Sequence, residues 1–248
     1  MIRAVQGGDG FSLPLDREAA VKLAGWWAAY GPDCPFVHFW HTEQGGLLAY
    51  MGDTALAAVP PADYEEAALF LRMQPTVRVV RSDPGFMRVL TAVRPGQTEA
   101  GQVMRLLTPA EKETADAPSP RETYPLLQAV FGDRLPPFED WYVDVSHRLR
   151  HGCCRTMGVY EAGELAAVAM TTAECPQAAL IGGVATRPKS RGRGYAHRCV
   201  MALAAALQQE DKAVWLSPKN VRAQTLYTRW GFVPAGEWAN LTWKDDNE

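Results

Sequence analysis

The sequence predicts a mixed α/β protein made of two successive domains, each with its own sheet and helices. Three observations predict it. Short strand-like apolar runs recur along the whole chain, separated by segments whose apolar residues repeat at helical spacing. That alternation breaks around Pro95-Gly96 and again at residues 115–120 (ADAPSP), where turn formers accumulate, so a boundary is expected between 95 and 120. Finally, 248 residues with 47% hydrophobic and 21% charged side chains are enough for two ordinary globular cores. The expected division is 1–98, a smaller α/β domain, and 101–248.

In the first half, Asp16 is an acidic N-cap candidate for a helix over 16–30, whose apolar residues keep helical spacing. Residues 35–42 (PFVHFWHT), 46–51 (GLLAYM) and 54–59 (TALAAV) predict strands divided by glycine-containing turns. Residues 62–74 predict a helix with its acids in the first turn, followed by two further strands at 76–82 and 86–93. Residues 101–108 (GQVMRLLT) predict a strand, assigned to the second half.

The second half opens with helices at 121–131 and 139–151. A hairpin follows over 156–174, turning at Ala162-Gly163, then a strand at 179–186 (ALIGGVAT). Cys199, Val200, Leu203 and Leu207 mark an amphipathic helix over 195–209. A short strand at 213–217, a helix at 220–230 and strands at 232–238 and 240–243 complete the sheet. GDTALAAV (52–59) and AGELAAVAM (162–170) echo each other, each a turn leading into a small-residue strand; an Ala-rich chain yields such a match by chance.

Bulk properties exclude some functions. The formal net charge of −3 is not that of a general nucleic-acid coat. Five cysteines, odd in number and without C-x-x-C spacing, and a start without the layout of a secretory signal imply a reducing, cytoplasmic setting. No apolar run approaches the roughly 18 residues of a membrane span.

Local chemistry concentrates in residues 189–198, KSRGRGYAHR. Gly192 and Gly194 allow consecutive N–H groups to point into one concavity, and the following helix adds the partial positive charge of its N-terminus. Arg187, Lys189, Arg191 and Arg193 rim this cradle, which suits a diphosphate. A solvated basic turn or a weak nucleic-acid contact fits the loop alone equally well. No Lys-Ser/Thr pair follows Gly194, which excludes a nucleoside-triphosphate P-loop, and the third glycine of the dinucleotide fingerprint is missing.

Further along stand Asn220, Ala223, Leu226, Tyr227, Gly231 and Phe232. The stretch Thr186-Arg187-Pro188-Lys189-Ser190-Arg191-Gly192-Arg193-Gly194-Tyr195-Ala196, followed by one helix, one strand and this second set, resembles the GNAT superfamily of acyl-CoA-dependent N-acetyltransferases. The likeness covers about 101–248 and is specific from about Leu180 to Val233. It implies a mixed, mainly antiparallel GNAT-type sheet flanked by helices, and acetyl-CoA as cosubstrate with no metal. It also implies roles: the main chain of Val184, Ala185 and Thr186 pairing with the pantetheine arm, Arg191, Gly192, Arg193, Gly194, Tyr195 and Ala196 holding the diphosphate, Asn220 touching pantetheine, and Tyr227 protonating the departing thiolate. Helical spacing agrees, because Asn220, Ala223 and Tyr227 lie on one stripe. Thr186 and Tyr195 depart from the family's usual Val and Ile or Leu without removing a backbone donor.

Acetyl transfer to an alkylammonium of pKa about 10 also requires loss of a proton before attack. Residues 179–186 carry no carboxylate for this. Glu174, Asp140, Asp144 and His147 are the other candidates, each equally a surface group, and a water chain is an alternative. The oxyanion would meet a backbone N–H near Val184 or Ala185. Residues 1–98 lack the glycine loop and are expected to be non-catalytic, and the resemblance implies a degenerate GNAT-like copy there; Trp26, Trp27, Phe39 and Trp40 are core or acceptor-cleft residues. Two readings follow: an enzyme acetylating a primary amine of a small molecule or peptide, without nucleic acid or membrane, or a non-catalytic acyl-CoA-binding or sensing module. A donor bound as aminoacyl-tRNA is disfavoured by the negative charge.

Overall fold

The computed structural model describes residues 1–10 and 12–243. The chain runs β1 (Arg3–Ala4), α1 (Glu18–Tyr30), β2 (Val37–His41), β3 (Leu47–Met51), β4 (Thr54–Ala58), α2 (Tyr64–Arg72), β5 (Val79–Ser82), α3 (Pro84–Val93) and β6 (Gln97–Leu106). It continues through α4 (Pro120–Phe131), α5 (Phe138–Arg150), β7 (Thr156–Glu161), β8 (Glu164–Glu174), β9 (Ala178–Thr186), α6 (Tyr195–Gln208), β10 (Ala213–Leu216), α7 (Val221–Arg229) and β11 (Phe232–Thr242). The fold is mixed α/β with mostly antiparallel strand pairs, as the sequence predicts.

Two compact units emerge, and a single cut does not separate them. The first comprises 1–104, 218–220 and the segment from Pro234; the second comprises 105–217 and 221–233. Most of β6 therefore lies in the first unit, not in the second half. The two strands expected at 232–238 and 240–243 are one, β11, whose residues from Pro234 on belong to the first unit.

In the first unit β2, β3 and β4 pair antiparallel, β5 lies parallel to β4, and Ala239–Thr242 of β11 pair antiparallel with β5. Both faces are covered. Leu47, Ala49, Leu56 and Ala58 pack with Ala20 and Leu23 of α1, whereas Leu48, Ala55 and Ala57 pack with Leu71 of α2 and Phe86 and Leu90 of α3. Two-sided burial explains why these strands read as continuous apolar runs. Phe39 sits in the α1 core, with Trp26 and Trp27 against it, and Trp40 packs against the other core.

Residues 86–93 form a helix, not a strand. Asp83 caps it, its Oδ1 accepting from Gly85 N at 2.9 Å and Phe86 N at 3.1 Å, with Pro84 in the first turn. Phe86, Met87 and Leu90 are the buried residues, a helical stripe that the β-branched content of the segment conceals. Asp83 also takes bonds from Tyr64 and Arg17, both at 3.1 Å. Asp83→Ala is expected to lower stability by about 1–2 kcal/mol, read as a thermal midpoint lower by roughly 2–8 °C.

In the second unit β7, β8 and β9 pair antiparallel and β10 lies parallel to β9. Tyr124, Leu127, Trp141 and Val145 of α4 and α5 pack on Val168, Met170 and Ala185, while α6 buries Cys199, Val200, Leu203 and Leu207 against the sheet. The second unit thus repeats the order of the first, three antiparallel strands, a helix, a parallel strand and a helix. The sequence echo does not mark this repeat: GDTALAAV enters β4, whose counterpart is β9, and AGELAAVAM enters β8. Among the described residues no helix is long and apolar enough to cross a membrane.

Candidate functional site

The site begins where β9 leaves its neighbour. Pairing with β10 ends at Ile181 opposite Leu216, while pairing with β8 continues to Thr186 opposite Ala167. Between those points the register with β8 slips between Ala185 and Gly182, and Gly183 takes a φ of +55°. A Cβ there would come within 2.7 Å of the Met170 side chain, so glycine is required for both conformation and space. Beyond Ile181 the main chain of β9 has an edge that β10 does not cover. Val184 and Thr186 line a cavity of about 550 Å³ there. Ala185 points the other way, 2% exposed, into the core beneath α4 and α5.

A 3₁₀ turn at Pro188–Ser190 carries the chain from β9 into the glycine loop. Gly192 (φ +78°) and Gly194 (φ +75°) are both left-handed, a conformation costing other residues about 1–2 kcal/mol each. Gly194 is the N-cap of α6, its carbonyl accepting from Arg198 N at 3.1 Å. The first-turn N–H groups of such a helix have no acceptor within it. Ser190, Arg191, Gly192, Gly194, Tyr195 and Ala196 line the same cavity.

The four cations around this loop are not equivalent. Arg187 and Lys189 pair with Glu164, and Arg193 pairs with Glu161. Arg193 is absent from the cavity lining; Arg191 lines it, and its Nε donates to the Thr186 carbonyl at 3.4 Å. The Ser190 hydroxyl, and next Arg193, hold the Glu161 carboxyl below its ordinary pKa; Arg187 does the same for Glu164.

The opposite wall comes from α7, which contributes Arg222, Ala223, Leu226 and Tyr227, with Trp230 just past its end. Burial alone pushes the Tyr227 phenol up to about 12. Its ring stands edge-on to Trp230 at 5.3 Å and to Phe232 at 6.0 Å. Trp230 also meets His197 of α6 at 5.3 Å. Leu226 and Trp230 complete the helical stripe through Ala223 and Tyr227, a spacing signal that was available in the sequence. Ser190, His197, Arg222 and Val130 of α4 had no such signal. Asn220 precedes α7, is exposed, and does not line the cavity.

None of the four candidate bases lines it either. Glu174, 1% exposed, accepts from Arg155 Nε at 3.0 Å, Lys212 Nζ at 2.8 Å and Thr171 Oγ1 at 3.0 Å. It lies opposite Ala179, roughly 17 Å along the strand from Val184. Asp144 pairs with Arg148 at 2.6 Å, the His147 ring lies tilted against His151 with centroids 4.1 Å apart, and Asp140 is exposed. Glu111, Glu113 and His197 are the one group among the described residues whose atoms lie close enough to share a metal ion.

This combination of splayed strand, glycine loop and flanking helices defines the class: the chain has the fold of the GNAT acyl-CoA N-acetyltransferases. The family model described as FR47-like protein matches residues 156–241, about a third of the chain. A GNAT-family protein from Novosphingobium aromaticivorans superposes with a TM-score of 0.58 at 21% identity, covering 93% of this chain and 97% of its own. A GNAT-family acetyltransferase from Colwellia psychrerythraea gives 0.57 at 13% identity, covering 98% and 100%. A tandem GNAT protein from the clavulanic acid biosynthesis pathway gives 0.54 at 16%, covering 90% and 87%. No curated protein matches the chain.

Proposed function

We propose that this protein transfers an acetyl group from acetyl-CoA to a primary amine by direct attack, through its C-terminal half. One observation carries the reading: the left-handed Gly192/Gly194 loop, the uncovered edge of β9 and the Tyr227 phenol meet at one cavity. The main-chain donors from Arg191 to Ala196 would hold the diphosphate, and the β9 edge at Val184 and Thr186 would take the pantetheine amides as a neighbouring strand does. In the reaction the amine nitrogen bonds to the thioester carbon, the C–S bond breaks with its electron pair going to sulfur, Tyr227 donates a hydrogen bond to that sulfur, and the proton shed by the acylated nitrogen passes to the departing thiolate. Among the described residues no carboxylate lines the cavity, and the reading has the amine arrive neutral. An ordinary alkylamine of pKa about 10 is roughly 1% neutral at pH 8, so turnover at low acceptor concentration is expected to rise about tenfold per pH unit from 7 to 9.

In the first unit the β4–α2 junction has no counterpart of the glycine loop. After β4 the chain enters Pro60 and Pro61, which lack N–H groups, and α2 begins with Glu65 and Glu66, which repel phosphate. We therefore read this unit as non-catalytic. Five free thiols support a reducing, cytoplasmic setting.

The absence of a carboxylate from the cavity lining among the described residues favours a second reading, an acyl-CoA-binding module without turnover. Titration calorimetry with CoA and acetyl-CoA, followed by thiol release over a panel of primary amines, decides among them. Binding with amine-dependent thiol release is expected. Binding without release supports the sensing module, and no heat with either coenzyme overturns both.

A further inference from the structure

We propose that Glu161, at the tip of the β7–β8 hairpin, is a positioning residue that sets the shape of the glycine loop from outside the cavity; the assignment of the loop to acyl-CoA rests on the reading above. Glu161 accepts from the Ser190 hydroxyl at 2.7 Å and the Tyr195 hydroxyl at 3.3 Å, and it pairs with Arg193. These three residues alternate with the two hinges of the loop: Ser190 precedes Gly192, Arg193 lies between the glycines, and Tyr195 follows Gly194. One carboxylate therefore pins the chain on both sides of each left-handed residue. Glycine gives up the most conformational freedom on ordering, so a loop with two of them gains most from such a fixed point.

The side chains and the main chain divide their work. Arg193 turns to Glu161 and is absent from the cavity lining, whereas the glycines and Arg191 line it. The carboxylate itself is presented by a tight hairpin, with Glu161 opposite Glu164 and Ala162 and Gly163 both left-handed at the turn. Glu164 takes Arg187 and Lys189, which lie before the glycines, so it pins neither hinge.

The sign of the effect separates positioning from simple charge. Removing a negative charge beside an anion site strengthens anion binding through the field alone. Loss of a positioning group weakens it. Glu161→Ala is expected to raise the KM for acetyl-CoA about tenfold with kcat within twofold, while Glu161→Gln, which retains an acceptor for Ser190 and Tyr195, stays within about threefold of wild type. Glu164→Ala is expected to stay within twofold. Limited trypsin cleavage of the ligand-free protein after Arg191 and Arg193 reads loop order without any coenzyme; Glu161→Ala is expected to be cut at least fivefold faster there, with unchanged circular dichroism. Unchanged cleavage, or coenzyme binding as tight as or tighter than wild type, overturns the proposal. If wild-type protein binds no acetyl-CoA, the functional reading fails, and the cleavage result alone decides the role of Glu161.

Discussion

Tyr227→Phe should lower kcat about 100-fold while the KM for acetyl-CoA changes less than threefold. The ring is kept, so its contacts with Trp230 and Phe232 survive and only the hydroxyl is lost. With its phenol at about 12, Tyr227 stays protonated across the physiological range and remains a donor. A free thiol titrates near 8.5, so complete proton transfer from this phenol is uphill by roughly 3.5 pH units, or about 5 kcal/mol. The role proposed for it is therefore a hydrogen bond that strengthens as charge builds on sulfur. The sign for pH follows: kcat has no alkaline limb from Tyr227 until pH approaches 12. Thiol-release kinetics on both proteins check this, and equal loss in kcat and coenzyme affinity, or loss in neither, refutes the role.

Glu174→Ala should destabilise the protein by about 3 kcal/mol without changing catalysis. The carboxylate is buried, and its removal strips Arg155 and Lys212 of one partner each, leaving Glu210 at 2.8 and 2.9 Å. Arg155, then Lys212, hold the Glu210 carboxyl down at about 2. Its folded pKa is thus below the unfolded value near 4.5, so its contribution is complete above that value and fades as pH falls toward 2. Denaturant midpoints measure the loss, and turnover per folded molecule is expected within twofold of wild type. A 100-fold fall in kcat with the fold intact would instead make Glu174 the missing base.

The sequence was most legible where chemistry is local. Gly192 and Gly194 announce a left-handed loop because few other residues adopt it, and that loop stands where the spacing predicted. Residues 86–93 were misread because valine and leucine serve strand and helix alike; the Asp83-Pro84 cap carried the better signal. Residues 232–243 divide at Ala239 in the sequence reading, yet β11 runs through that position, where Ala239 pairs with Ser82. Glu161 was invisible for another reason: its partners lie 29 to 34 residues away, and local periodicity says nothing about such pairs. The same holds for Glu174, whose suitability as a base was a matter of burial and cationic company.

The pairing of β5 with Ala239–Thr242 bears on how the protein is made. Translation delivers β1 to β5 early, but the first unit lacks that flanking strand until residue 242 has left the ribosome. Nascent chains usually mature from the N-terminal end; here β1 to β5 must wait, with Val80 and Phe86 short of Leu241 and Trp243, until residue 243 has been made.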